Sequence, residues 1–192
     1  MKRIEEVYRE ILFQSMEKKK NNLTQSYLAN TLNISLSVVN LALNPLRKMG
    51  AIKINQRNFD VVDKKKILYY WASARNIEKD IIYKTRAEKP VTKIESEMPN
   101  DVIYGAYSAY KFKFNDIPAD YSEVYVYSSD AKEIEKRFSK NNNNPNLFVL
   151  KKDNNMKETT IAQIFVDLWN MKEWYARDFL KAMEEKTNGL LE

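Results

Sequence analysis

The stretch Leu23–Val62, LTQSYLANTLNISLSVVNLALNPLRKMGAIKINQRNFDVV, constrains this chain more than any other. Thr24 stands at an N-cap position, ahead of a helix over Gln25–Leu32 that buries Tyr27 or Leu28 together with Leu32. Asn33, which tolerates left-handed backbone, makes the turn. Ser35 or Ser37 caps a third helix running to about Met49, in which Leu36, Val39, Leu43 and Leu46 recur at three- and four-residue steps and face the core. Pro45 removes the bond its amide would give to the Leu41 carbonyl, while Leu46 continues the apolar stripe. The expectation is therefore a kink or a tightened last turn, not a helix that ends at Asn44. Gly50 supplies the stop. Ala51–Asn55 and Asn58–Val62 then alternate apolar and polar residues around the tip Gln56-Arg57-Asn58, a hairpin that offers Ile52, Ile54, Phe59 and Val61 to its packed face. Two short helices, a tight turn and a hairpin are the layout of a winged helix-turn-helix, a module that reads DNA.

The polar residues left over by this pattern are the candidate site. Ser35, Ser37, Asn40 and Asn44, in the N-terminal part of the third helix, are expected to read bases; an asparagine amide matches the paired donor and acceptor of adenine in the major groove. Thr24, Gln25, Arg47, Lys48, Lys53 and the wing-tip Arg57 are expected to hold the DNA backbone or, for Arg57, to enter a minor groove. Charge is distributed to match. Residues 1–66 carry 13 Lys and Arg against 6 Asp and Glu, a net +7, and the remaining residues carry 19 against 20, a net −1. The whole excess of the +6 chain lies on its N-terminal third, the pattern of a phosphate-facing module on a neutral body.

Composition closes off much of enzyme chemistry. With no Cys there are no disulfides, zinc ribbons or thiol nucleophiles, and with no His the commonest general base and metal ligand is missing. Three Gly in 192 residues leave no phosphate-cradling loop. The expectation is a non-enzymatic chain without cofactor or metal. No apolar run approaches the ~20 residues of a membrane span, and MKRIEEVYRE lacks a signal-peptide core, so a cytoplasmic location is expected.

Outside the opening stretch, residues 3–17 form an amphipathic helix with Ile4, Val7, Tyr8, Ile11 and Leu12, closed by Lys18, Lys19 and Lys20. Asp63 caps a helix over KKKILYYWASARNIEKD with Ile67, Leu68, Trp71, Ala72 and Arg75 on one side. Its three consecutive aromatics, Tyr69, Tyr70 and Trp71, call for a covering surface, either the C-terminal domain or a second subunit. Beyond it lie a strand at residues 80–86, a helix from Pro90 to Met98, and a helix from Asp101 to about Phe112. A strand at Glu123–Tyr127, a helix over residues 130–139 and a loop at Asn141–Asn144 follow. An interior strand at Asn146–Leu150 leads to helices over Ile161–Asn170 and Lys172–Lys186, the last with Met171, Tyr175, Phe179 and Ala182 on one face and Trp174 beside them. This order indicates a compact α/β domain.

At GAYSAYKFKF, PADYSEVYVY and FVDLWNMKEWYARDFLKAMEE, taken with VNLALNPLRKMGAIKINQRNFDVVDKKKILYYWASARNIEKDIIYKTR, the chain resembles a prokaryotic, mainly archaeal, family of winged-helix regulators. Their C-terminal half is similar to the degenerate nucleotidyltransferase-like domain of antitoxins from abortive-infection toxin–antitoxin pairs. The resemblance covers residues 20–186. It implies an α+β chain with a winged helix-turn-helix DNA-binding domain at 1–63, a connector helix at 64–79 and a small α/β nucleotidyltransferase-like domain with a short mixed sheet at 80–192. It implies a sequence-specific transcriptional repressor, antitoxin-like and autoregulatory, that binds double-stranded DNA at an inverted repeat as a homodimer and has a toxin-like protein as a further partner. A protein-binding antitoxin module is the alternative function, and an active metal-dependent nucleotidyltransferase the third. Active transferases carry a Gly-Ser pair at a helix start and an Asp-x-Asp pair for magnesium. Here Gly105 precedes Ala106, Glu123-Val124-Tyr125 offers one carboxylate, and Asp116 and Asp120 have the wrong spacing, so the resemblance implies that catalysis is lost.

Overall fold

The computed structural model describes every residue except positions 142 and 192, and the chain is a mixed α+β protein with two small sheets. It divides into two units: Met1–Arg75 with Thr160–Val166 and Glu184–Glu192 in the first, and Asn76–Thr159 with Asp167–Met183 in the second. Helices α8 (Ile161–Trp169) and α9 (Ala176–Leu191) each give residues to both units.

In the first unit, α1 (Arg3–Leu12) continues through a π-helical turn at Phe13–Glu17. After it come β1 (Asn22–Leu23), α2 (Gln25–Leu32), α3 (Leu36–Lys48), β2 (Ile52–Ile54), β3 (Phe59–Val61) and α4 (Lys64–Ala74). Local chemistry sets the boundaries. Thr24 Oγ1 accepts the Tyr27 N–H at 3.0 Å, Ser35 Oγ accepts from Val38, and Asp63 Oδ1 accepts from Lys66. Asn33 has φ of 51°. Helix α3 runs past Pro45: the Met49 N–H donates to the Pro45 carbonyl at 3.0 Å. Gly50, at φ 68°, closes a Schellman motif in which its own N–H donates to Arg47 and the Ala51 N–H to Leu46.

Helices α1, α2 and α3 pack on one another and α1 also on α4, around Val7, Ile11, Leu28, Val39, Leu43, Leu46 and Phe59. The sheet has the order β1-β3-β2, antiparallel throughout, with Asn22 opposite Asp60 and Ile52 opposite Val61. Two expectations change here, and one strand appears that none anticipated. Strand β1 is too short to leave a periodic trace and exists only because β3 supplies its partner. Leu36 is 51% exposed, and Ala42 instead completes the buried face of α3. Ile54 alternates with Lys53 onto the same side as Ile52 but is 40% exposed, although its cross-strand partner Phe59 is buried.

Helix α4 stops at Ala74, and Ile77–Asp80 is a separate 3₁₀ turn in the second unit. The stop coincides with a buried ion pair: Glu5 Oε2 accepts from Arg75 Nη1 at 2.9 Å and from Trp71 Nε1 at 3.3 Å. The aromatic triplet finds its covers inside this unit. Trp71 is fully buried, Tyr70 meets Tyr8 edge-on at 5.7 Å, and Tyr69 meets Phe165 at 5.4 Å while donating to Glu184.

The second unit holds β4 (Ile81–Thr85), α5 (Val91–Ser96), β5 (Ile103–Gly105), α6 (Ala106–Phe114), β6 (Val124–Ser128), α7 (Lys132–Arg137) and β7 (Leu147–Lys151). Its sheet has the order β4-β7-β6-β5, with β6 and β7 parallel and both outer pairs antiparallel, so the apolar β7 is interior as its composition requires. One face packs Tyr83, Val124, Val126, Leu147 and Val149 against Ile94, Ile134 and Phe138. On the other, Tyr107 packs edge-on to Tyr125, Tyr175 and Phe179, and Tyr127 donates to Asp167.

The helix expected over residues 101–112 is instead β5 followed by α6. Gly105, the last residue of β5, lies close against Tyr127: a β-carbon there would stand 3.1 Å from the ring. The last helix begins at Ala176, not Lys172, and Trp174 is 80% exposed. Of the expected loop at Asn141–Asn144, position 142 lies outside the described residues. Among the described residues no helix is long and apolar enough to cross a membrane.

Candidate nucleic-acid interface

From Lys18 to Phe59 the chain contains no Asp or Glu but seven cations, Lys18, Lys19, Lys20, Arg47, Lys48, Lys53 and Arg57. Helix α3 is the middle of this segment. Its buried residues Val39, Ala42, Leu43 and Leu46 mark one side. Directly opposite, at the i, i+4, i+7, i+11 spacing of a straight helical stripe, stand Ser37, Leu41, Asn44 and Lys48, all exposed.

A second row, nearer the hairpin, contains Asn40 and Arg47. Gln25, Asn40, Asn44 and Arg47 line one small cleft of about 60 Å³, closed by Leu43 and Ile54. The Arg47 Nη2 donates to Asn44 Oδ1 at 3.0 Å, which orients the Asn44 amide and leaves one carbonyl lone pair available.

Not every expected site residue joins this group. Ser35 is exposed, and its Oγ accepts from Val38 to cap α3 and hydrogen-bonds Ser37 Oγ at 2.7 Å, so two of its three hydrogen-bonding positions are engaged within α3. Thr24 is likewise committed as the α2 cap and is half-buried. Lys53 alternates with Ile52 and Ile54 and therefore stands on the other side of the hairpin, across from Asp60. Arg57 is exposed at the tip.

Asp60 is the nearest carboxylate to this surface in the sequence, and it is tied down. The side-chain amides of Asn22 and Asn55 donate to it at 2.5 and 2.7 Å, and these bonds hold its carboxyl below the usual range. The Asn22 bond also tethers the hairpin to β1. Two features escaped sequence reasoning: the Asn22 tether, which depends on the unforeseen β1, and Leu41, which at 63% exposure is an apolar residue in the centre of a polar stripe. Helical spacing relative to Val39 and Leu43 was sufficient to place Leu41 outside the core.

The second unit presents different chemistry. A cavity of about 600 Å³ is lined by Ile81, Lys84, Tyr125, Phe148 and Glu173, with Lys172 ion-paired to Glu78 at its rim. Tyr125 and Phe148 stack face to face at 4.6 Å. Gly105 and Ala106 sit at the β5–α6 junction, where Ala106 takes the left-handed φ of 45°.

Glu123 precedes β6 and is half-buried. Its Oε1 accepts from Ser122, its Oε2 is buried with no hydrogen-bond partner among the described residues, and burial together with Glu173 raises its carboxyl pKa. Asp116 accepts from Tyr110 at 2.9 Å, and Asp120 is exposed. The described residues contain no group of three or more carboxylates placed to hold a metal ion.

Comparison with protein-family models, with curated proteins and with solved structures found no match to this chain.

Proposed function

We propose that the first unit is a winged helix-turn-helix that binds double-stranded DNA in a sequence-dependent way, and that the chain is a transcriptional regulator. The observation that carries this reading is the exposed face of α3. It displays Ser37, Asn40, Asn44, Arg47 and Lys48 opposite a fully apolar buried face, inside a segment with seven cations and no carboxylate. An ordinary solvated helix mixes both signs of charge; a surface that faces phosphates excludes the negative one. On this reading α3 lies in the major groove, its asparagines meet base edges, and Lys48 and Arg57 meet phosphates. The resemblance to winged-helix regulators points the same way.

The test is selection of genomic DNA fragments on the full-length protein, followed by footprinting and titration of the selected site at increasing salt. Binding should weaken steeply with salt, and Lys48→Ala or Arg57→Ala should each reduce the slope of log K against log salt by roughly one. Absence of binding at about 50–100 mM salt, or equal affinity for unrelated sequences, would refute the proposal.

A further inference from the structure

Two leucines of α3 are exposed, Leu36 at its first turn and Leu41 on the stripe that faces away from the core. Leu41 lies at the centre of the stripe Ser37, Leu41, Asn44, Lys48, opposite the core, and is 63% exposed. No other residue of the stripe is apolar. A polar or charged residue would serve as well on a face turned to water.

We infer that Leu41 is a specificity residue that packs on the 5-methyl group of a thymine, and that the half-site read by α3 contains an A·T pair at that position. This rests on the DNA-binding reading above. The argument comes from what each groove presents. In the major groove the thymine methyl is the one apolar group on any base edge.

The neighbours of Leu41 agree with an A·T step. Asn44, one turn further along the stripe, keeps an amide donor and one acceptor lone pair, the pattern that matches adenine N7 and N6. Cytosine is read through a carboxylate that accepts from its N4 amine, and no carboxylate exists between Lys18 and Phe59. The guanine readers are Arg47, in the adjacent row with the cleft residues Gln25 and Asn40, and Lys48, at the end of the stripe two turns beyond Leu41. The stripe opposite the core thus carries a thymine contact and an adenine contact side by side.

The experiment uses the full-length protein and its footprinted site, with each thymine replaced in turn by deoxyuridine. That change deletes the methyl group and keeps the base pair. One replacement inside the half-site should weaken wild-type binding roughly fourfold, the value of a single buried methyl. Leu41→Ala should weaken binding to the unmodified site and lose sensitivity to that same replacement, while melting at the wild-type temperature because Leu41 supports no core.

If the wild type binds its site specifically but ignores every deoxyuridine, the leucine inference falls and the DNA-binding reading stands. If Leu41→Ala keeps the wild-type sensitivity, another residue reads the methyl and the inference also falls. Failure to bind any sequence preferentially overturns both.

Discussion

Replacing Glu5 by alanine removes the carboxylate that joins the first helix of the chain to the end of α4. In the folded protein Glu5 Oε2 takes hydrogen bonds from Arg75 Nη1 at 2.9 Å and from the Trp71 indole at 3.3 Å. The Arg75 side chain is fully buried and that of Glu5 is 5% exposed, so water cannot replace the lost acceptor without opening the unit. Deleting one partner of a buried ion pair costs about 3–5 kcal/mol, because the remaining charge keeps its desolvation penalty. A small domain has only about 5–15 kcal/mol in total, so Glu5→Ala should leave the first unit near its unfolding threshold.

Two further variants separate charge from packing. Glu5→Gln keeps an acceptor and loses the charge assistance, and should cost roughly 1–2 kcal/mol. The double change Glu5→Leu with Arg75→Met removes both charges and fills the space with apolar atoms. It should return stability to within about 1 kcal/mol of wild type, or exceed it. The assay is urea unfolding followed by tryptophan fluorescence, with Trp71 reporting from the pair itself. A loss below about 1 kcal/mol for Glu5→Ala, or a double variant no better than the single one, would refute a desolvated pair and indicate a water-accessible contact.

Two other outcomes follow from the geometry. Burial raises the Glu123 carboxyl above its ordinary value of 4.5, so the folded state holds its proton more tightly than the unfolded chain does. Below 4.5 both states are protonated and no penalty arises; as pH rises through the folded value the ionised, partnerless oxygen becomes a cost. Glu123→Gln should therefore raise the melting temperature at neutral pH and match wild type in acid, and a constant difference at all pH would contradict this. Gly50→Ala should cost about 1–2 kcal/mol in chemical unfolding from the left-handed backbone alone, because a β-carbon there would meet nothing within 4 Å. A stabilising substitution would show that the turn relaxes to negative φ.

The sequence by itself determined the features whose causes lie within a few residues. Thr24 and Asp63 cap their helices, a serine at 35 or 37 caps α3, with Ser35 the one the structure selects, Asn33 and Gly50 take positive φ, and the alternation at Val124–Tyr127 makes a strand, since each of these depends on hydrogen bonds or sterics spanning about one turn. Pro45 was legible in the same way: the chain on both sides of it is helical, and the proline did not end α3.

Tertiary structure decided whatever depends on a partner distant in sequence. Residues 103–105 form a strand and not the start of a helix because β6 offers an open edge, and Asn22–Leu23 form a strand because β3 does. Leu36 leaves the buried face that periodicity assigned it and Ala42 joins that face, since the positions of α1 and β2 set the limits of the buried arc of α3. The union of Glu5 with Arg75 joins residues 70 positions apart, beyond the reach of any local pattern. The candidate interface divides along the same line. Its asparagines and cations were readable from composition and spacing, and helical spacing and strand alternation turn Leu41 and Lys53 outward, while the Asn22 bond to Asp60 and the cleft that joins Gln25 and Ile54 to Asn40, Asn44 and Arg47 required the packed helices and the paired strands.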